Sequence, residues 1–179
     1  NAWVDQEFGD YPTSSSFLAD DFVAGDDWSI TGIFVPGNGW NGFTTLMNAS
    51  ALNWAIYADN GGIPAGYPGG GDPAVWSLSL APSDAQVTIT NGSGGMPSDT
   101  LLTLDTPGTL PAGHYWLLFW PTMDFSVGGQ YGRQAADTTN VGTGQFINPG
   151  GAFGFGTDWQ DWTVLGATLQ DIAFRIEGD

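Results

Sequence analysis

His114-Tyr115-Trp116-Leu117-Leu118-Phe119-Trp120 is the stretch whose reading decides the fold. Taken at period two, Trp116, Leu118 and Trp120 fall on one side and Tyr115, Leu117 and Phe119 on the other, so neither side is polar. The uninterrupted apolar run Tyr115–Trp120 is far too short to span a bilayer. It reads as a strand in the middle of a core, or as one with a face against a partner.

Outward from this strand, other segments alternate as half-buried strands do. Trp76, Leu78 and Leu80 alternate with Ser77 and Ser79, and Val87 and Ile89 with Gln86, Thr88 and Thr90. Ile172, Phe174 and Ile176 alternate with Asp171, Arg175 and Glu177. Further strands are expected at 17–24, 29–35, 43–47, 52–58, 100–104 and 162–166, with Ala51–Ala58, His114–Trp120 and Asp171–Glu177 central. No segment carries a helical stripe with caps at both ends. The 28 glycines and 11 prolines, 39 of 179 residues, punctuate the chain into short strands and turns. Long Gly-rich loops are expected at 60–73, 91–99 and 125–161, the last with interruptions. The fold class is all-β: a single jelly-roll-like β-sandwich over residues 1–179, of roughly eight to ten strands.

Charge narrows the partners. Two basic residues, Arg133 and Arg175, face 19 acidic ones, for a net charge of −17. Phosphate binding needs clustered cations, so nucleic acid is excluded as a partner, and nothing points to membrane insertion. With no cysteine, disulfides, thiolate metal sites and cysteine nucleophiles are absent. Asn1 in place of a methionine, with no apolar signal core behind it, reads as a mature or excised product. The lysine-free, Gly- and aromatic-rich chemistry fits an extracellular or cell-surface location.

Several motifs resemble those of a domain widespread in secreted bacterial proteins. They are Ala19-Asp20-Asp21-Phe22-Val23 followed by Trp28-Ser29-Ile30, the run from Ala55 to Pro64 (AIYADNGGIP), and Pro111 to Leu117 (PAGHYWL). Asn148 to Gly154 (NPGGAFG), Asp171 to Ile176 (DIAFRI) and the opening Asp5–Phe8 (DQEF) complete the set. The resemblance implies a non-catalytic β-sandwich, an accessory or stand-alone module found beside hydrolases and surface anchors. Such motifs mark a scaffold rather than a chemistry.

The residues themselves point the same way. His114 is the only histidine. It is either a lone general base or a structural polar residue at a strand end, and the second reading is preferred because no G-x-S-x-G elbow accompanies it. Paired carboxylates can hydrolyse a glycoside, but Glu7 and Glu177, the two glutamates, sit near the termini. The chain is read as no enzyme and as requiring no cofactor.

The acidic, loop-rich chain points to calcium, since hard cations take carboxylate and carbonyl oxygens. Its candidate ligands are Asp20, Asp21, Asp26, Asp27, Asp59, Asp158 and Asp161; Asp20 and Asp21 point to opposite faces if extended. Among the nine tryptophans, Trp40, Trp159 and Trp162 lie in loop-like contexts and, with Tyr67, are candidate sugar-stacking faces. Trp3, Val4 and Phe8 lie in a stretch that either docks on a neighbour by strand addition or completes its own sheet. Arg133 is expected to anchor a Gly-rich loop to an aspartate, and Arg175 to meet a carboxylate across strands. Two functions follow. The first is a structural or self-assembling protein (filament, surface layer or adhesive) that partners copies of itself or a surface layer. The alternative is a carbohydrate-binding accessory module that partners polysaccharide.

Overall fold

The computed structural model describes residues 2–137 and 141–179. Fourteen strands run through them: β1 (Ala2–Val4), β2 (Phe17–Ala24), β3 (Trp28–Val35), β4 (Gly37–Trp40), β5 (Ala51–Ala58), β6 (Trp76–Leu80), β7 (Val87–Asn91), β8 (Pro97–Leu110), β9 (Gly113–Thr122), β10 (Gln130–Ala136), β11 (Gln145–Ile147), β12 (Gln160–Asp161), β13 (Asp171–Ile172) and β14 (Arg175–Gly178). One short helical turn, α1 (Phe125–Gly128), and three 3₁₀ turns complete the elements. The fold is all-β, as the sequence predicts. Among the described residues no helix is long and apolar enough to cross a membrane.

The two-faced apolar strand is β9. It sits inside a six-stranded sheet of order β12-β11-β2-β9-β5-β6, antiparallel to β2 on one side and β5 on the other. A second sheet has the order β14-β3-β8-β7. Between the two lies the main core. Phe22, Leu52, Trp54, Ile56, Leu117 and Phe119 come from the first sheet, and Ile30, Ile33, Val35, Leu102 and Leu110 from the second. Each such side chain stabilises the fold by roughly 1.5–3 kcal/mol on burial. The other face of β9, with Trp116 and Leu118, builds a second cluster with Phe17, Ala19, Ala55, Tyr57 and Ile147, onto which Tyr67, Ala74 and Trp159 fold.

Pro36 lacks the N–H that would continue the β3 ladder, and the chain leaves it as β4, antiparallel to β10. Two glycines allow this close pairing. A Cβ on Gly37 would strike the Tyr131 ring, and one on Gly39 the Phe43 ring. Along β10 run β1, β4 and β13, forming a third small sheet.

Four expectations are corrected. Asp171–Glu177 is not a central strand: the chain leaves β13, paired with β10, and re-forms as β14 at the edge of the second sheet. Residues 43–47 make no strand; they follow left-handed Asn41 and Gly42 and enter a 3₁₀ turn whose Thr45 hydroxyl accepts the Met47 N–H. Residues 162–166 are likewise a 3₁₀ turn, ended by left-handed Gly166. Among the described residues the strands number fourteen rather than eight to ten, because short pieces such as β10, β11 and β12 interrupt the segment 125–161.

Candidate functional site

A polar cluster reaching the surface centres on His114. Asp21 of β2 and His114 of β9 share one face of the first sheet, and the turn after β5 brings Asp59 alongside. His114 Nε2 lies 2.7 Å from Asp21 Oδ2, and Nδ1 lies 3.6 Å from Asp59 Oδ2. The Trp116 ring stacks on the imidazole, 6.0 Å away at 30°, and its Nε1 donates to Asp59 Oδ1 at 2.8 Å. The carboxylates also brace loops, since Asp59 accepts the Gly62 N–H and Asp21 the Gly142 N–H. Among the described residues no hydroxyl is hydrogen-bonded to either ring nitrogen. The arrangement is a clasp that ties β2, β9 and two loops together.

A second polar cluster is wholly internal. Arg133 is not in a loop, as expected, but on β10 and completely buried. Its Nη1 donates to the carbonyls of Leu18 (3.2 Å) and Leu117 (3.3 Å), its Nη2 to that of Ala173 (3.5 Å), and Asp5 lies 4.0 Å away. The expected aspartate is thus present, in the core. Asp20 accepts the Ile172 N–H at 2.7 Å. Burial, joined by the neighbouring Asp171 charge and opposed by the Ile172 N–H and Arg133, pushes the Asp20 carboxyl up to about 8. Burial also drives Asp5 well above the ordinary carboxylate range, against the pull of Arg133.

The calcium candidates do not converge. Asp20 and Asp21 do point to opposite faces, but each is buried; Asp21 spends its oxygens on the bonds above, and Asp20 Oδ1 accepts the Asp21 N–H beside the Ile172 bond on Oδ2. Asp27 accepts the Ala112 N–H and Asp161 the Gln145 amide, while Asp26 and Asp158 are exposed. Among the described residues, no three His, Asp or Glu side chains are grouped so as to hold a metal ion.

The sugar-stacking candidates are also dispersed. Trp162 is corrected outright: it is wholly buried, donates Nε1 to the Gln170 carbonyl at 2.9 Å and meets Trp3 edge-on at 4.7 Å. Tyr67 and Trp159 come together over the outer face of the first sheet as half-buried covers, with Trp159 Nε1 on the Gly66 carbonyl at 3.2 Å. Trp40 lies on β4, its ring edge packed where a Cβ on Gly132 would stand. The N-terminal stretch completes its own sheet, because Trp3 and Val4 pair with Arg133 and Gly132 of β10, and Phe8 is buried. Of the two readings of these residues, the one in which the stretch completes its own sheet is the one seen here. Arg175 finds its carboxylate on its own strand, Glu177 at 2.7 Å, and lies over the Phe34 ring across the ladder.

What the site residues read from sequence omit is the open side of the sandwich. β6 has only β5 as a neighbour and β7 only β8. Neither strand carries a charge or a proline. Leu78, Leu80, Val87 and Ile89 pack on the main core yet stay half-exposed, while Ser77, Ser79, Thr88 and Thr90 are exposed. The opposite edges differ. β12 is two residues long and contains Asp161, and β14 carries Arg175 and Glu177 and a register shift at Gly178. Short length, charge and bulges are how edges are blunted against pairing. The signal was present in the strings WSLSL and VTITN, but not the fact that each would lie outermost. No protein-family model matches the chain, and no curated protein or solved structure is significantly similar to it.

Proposed function

We propose that this protein is a non-enzymatic extracellular building block that associates with copies of itself along the β6 and β7 side of the sandwich. The observation that carries the reading is the contrast between these two uncharged, unpaired edges and the blunted ones opposite. An open edge is a template for another strand, and two β6 strands related by a two-fold axis can pair antiparallel and extend the sheet. Charge supports the same side. Copies of a chain of net charge −17 repel one another, and contact is least costly where the facing strands hold no carboxylate. Covering Leu78, Leu80, Val87 and Ile89 adds about 25 cal/mol for each Å² of apolar surface removed from water.

Sedimentation velocity of the whole chain across a micromolar concentration series, with negative-stain images of the same samples, tests this. Reversible dimers or longer assemblies are expected. Ser79→Lys combined with Thr88→Lys, both at exposed positions, should return the protein to monomer with its melting temperature lowered by no more than about 2–4 °C, the effect of losing the bond from the Ser79 hydroxyl to Asn53 Oδ1. A wild-type monomer at every concentration, or assemblies that ignore the double substitution, would overturn the reading.

A further inference from the structure

Away from the open edges, the segment after β1 and the α1 turn enclose a surface groove of about 290 Å³ lined by Phe8, Tyr11, Ser14, Phe125, Gln130 and Phe153. We propose that it binds one pyranose ring of a neutral polysaccharide.

The aromatic arrangement is the first support. Phe8 is buried, whereas Tyr11, Phe125 and Phe153 are 55%, 38% and 37% exposed. Large aromatics left in water on a concave surface mark interaction sites. Tyr11 and Phe125 meet edge-to-face, 6.0 Å apart at 82°. One ring face and one ring edge are therefore presented together, and a sugar's C–H face stacks on such a ring. Phe125 is held in place because both oxygens of Asp10 accept backbone N–H groups, those of Phe125 and Ser126, each at 2.9 Å.

Polarity and charge then select the occupant. Among the described residues, the Tyr11 and Ser14 hydroxyls and the Gln130 amide nitrogen make no hydrogen bond to protein, while Gln130 Oε1 accepts from Asn41. An aliphatic ligand would bury those groups unanswered, at a cost; hydroxyl groups would answer them. The lining carries no ionised side chain. An anionic ligand would meet no cation and would be repelled by a chain of net charge −17. A neutral polyhydroxylated ring satisfies both conditions. The volume falls just under that of small-molecule sites, which run about 300–1,000 Å³, so it suits a single ring of a longer chain.

Isothermal titration of the whole protein with cellohexaose, xylohexaose, mannohexaose and laminarihexaose provides the test. Binding to at least one is expected. Tyr11→Ala and Phe125→Ala should each weaken it about three- to tenfold, and the double variant should abolish measurable heat. Trp159→Ala, on the outer face of the first sheet, should leave it unchanged. Failure of all four sugars to bind, or binding indifferent to the double variant, overturns the proposal. So does the outcome in which no sugar binds and the double variant loses self-association in sedimentation, which would make the groove a protein contact.

Discussion

A guanidinium sealed from water is tolerated only where its charge and donors are answered, and at Arg133 the answers come from the Leu18, Leu117 and Ala173 carbonyls and from Asp5. Arg133→Met should therefore lower stability by about 3–5 kcal/mol, read as a shift of the urea midpoint. Asp20 makes stability depend on pH, with a definite sign. Its native carboxyl holds a proton up to about 8, whereas the unfolded group releases it near 3.8. The native state thus binds the extra proton between these values, and stability falls as pH rises through that window, by up to a few kcal/mol. Asp20→Asn keeps a side-chain oxygen acceptor and removes the titration, so its stability from pH 4 to pH 8 should be flatter than wild type. A wild-type profile that rises over the same window would refute the assignment. An aspartate partner for Arg133 was legible in the sequence; the burial of the pair and the carbonyls around it were not. Arg133 stands in QYGRQAA beside a glycine, and its partners lie more than a hundred residues upstream or across other strands, where no local pattern can announce them.

Whole elements were easier to read where both faces or one clean face repeat, and harder where the chain changes sheet. β9 declared itself because its two apolar sides need two covers, and the structure supplies the sandwich core on one and Tyr57, Phe17 and the loop aromatics on the other. Asp171–Glu177 alternates just as regularly, yet Ala173 and Phe174 fall between two sheets. Alternation reports a half-buried strand; it does not report which sheet receives it. β4 was invisible for the opposite reason. Gly37-Asn38-Gly39-Trp40 has poor strand propensity, and it pairs only because its glycines clear the Tyr131 and Phe43 rings. Gly39→Ala should consequently cost about 1–3 kcal/mol through overpacking. Gly25→Ala, where a Cβ meets nothing within 4 Å, should leave the thermal midpoint at or slightly above that of wild type.

At the scale of the molecule, two forces of different range oppose each other when copies meet. The repulsion of net charge −17 acts over a Debye length, about 30 Å at 0.01 M salt and about 3 Å at 1 M. The attraction along β6 and β7 comes from ladder hydrogen bonds and from burial of Leu78, Leu80, Val87 and Ile89, and both act only at contact. Salt weakens the first and leaves the second largely intact. Association through these edges should therefore strengthen as ionic strength rises, with monomer dominating at about 0.01 M salt and assemblies at about 0.5 M for the same protein concentration. An interface built instead on Arg175 or other exposed ion pairs would weaken over that range. Sedimentation of wild type and of the Ser79→Lys, Thr88→Lys double variant at the two salt concentrations separates the cases. Wild type should move from monomer to assembly and the variant should stay monomeric at both, because lysine side chains on an edge strand blunt it against pairing, and do so although they lower the net negative charge.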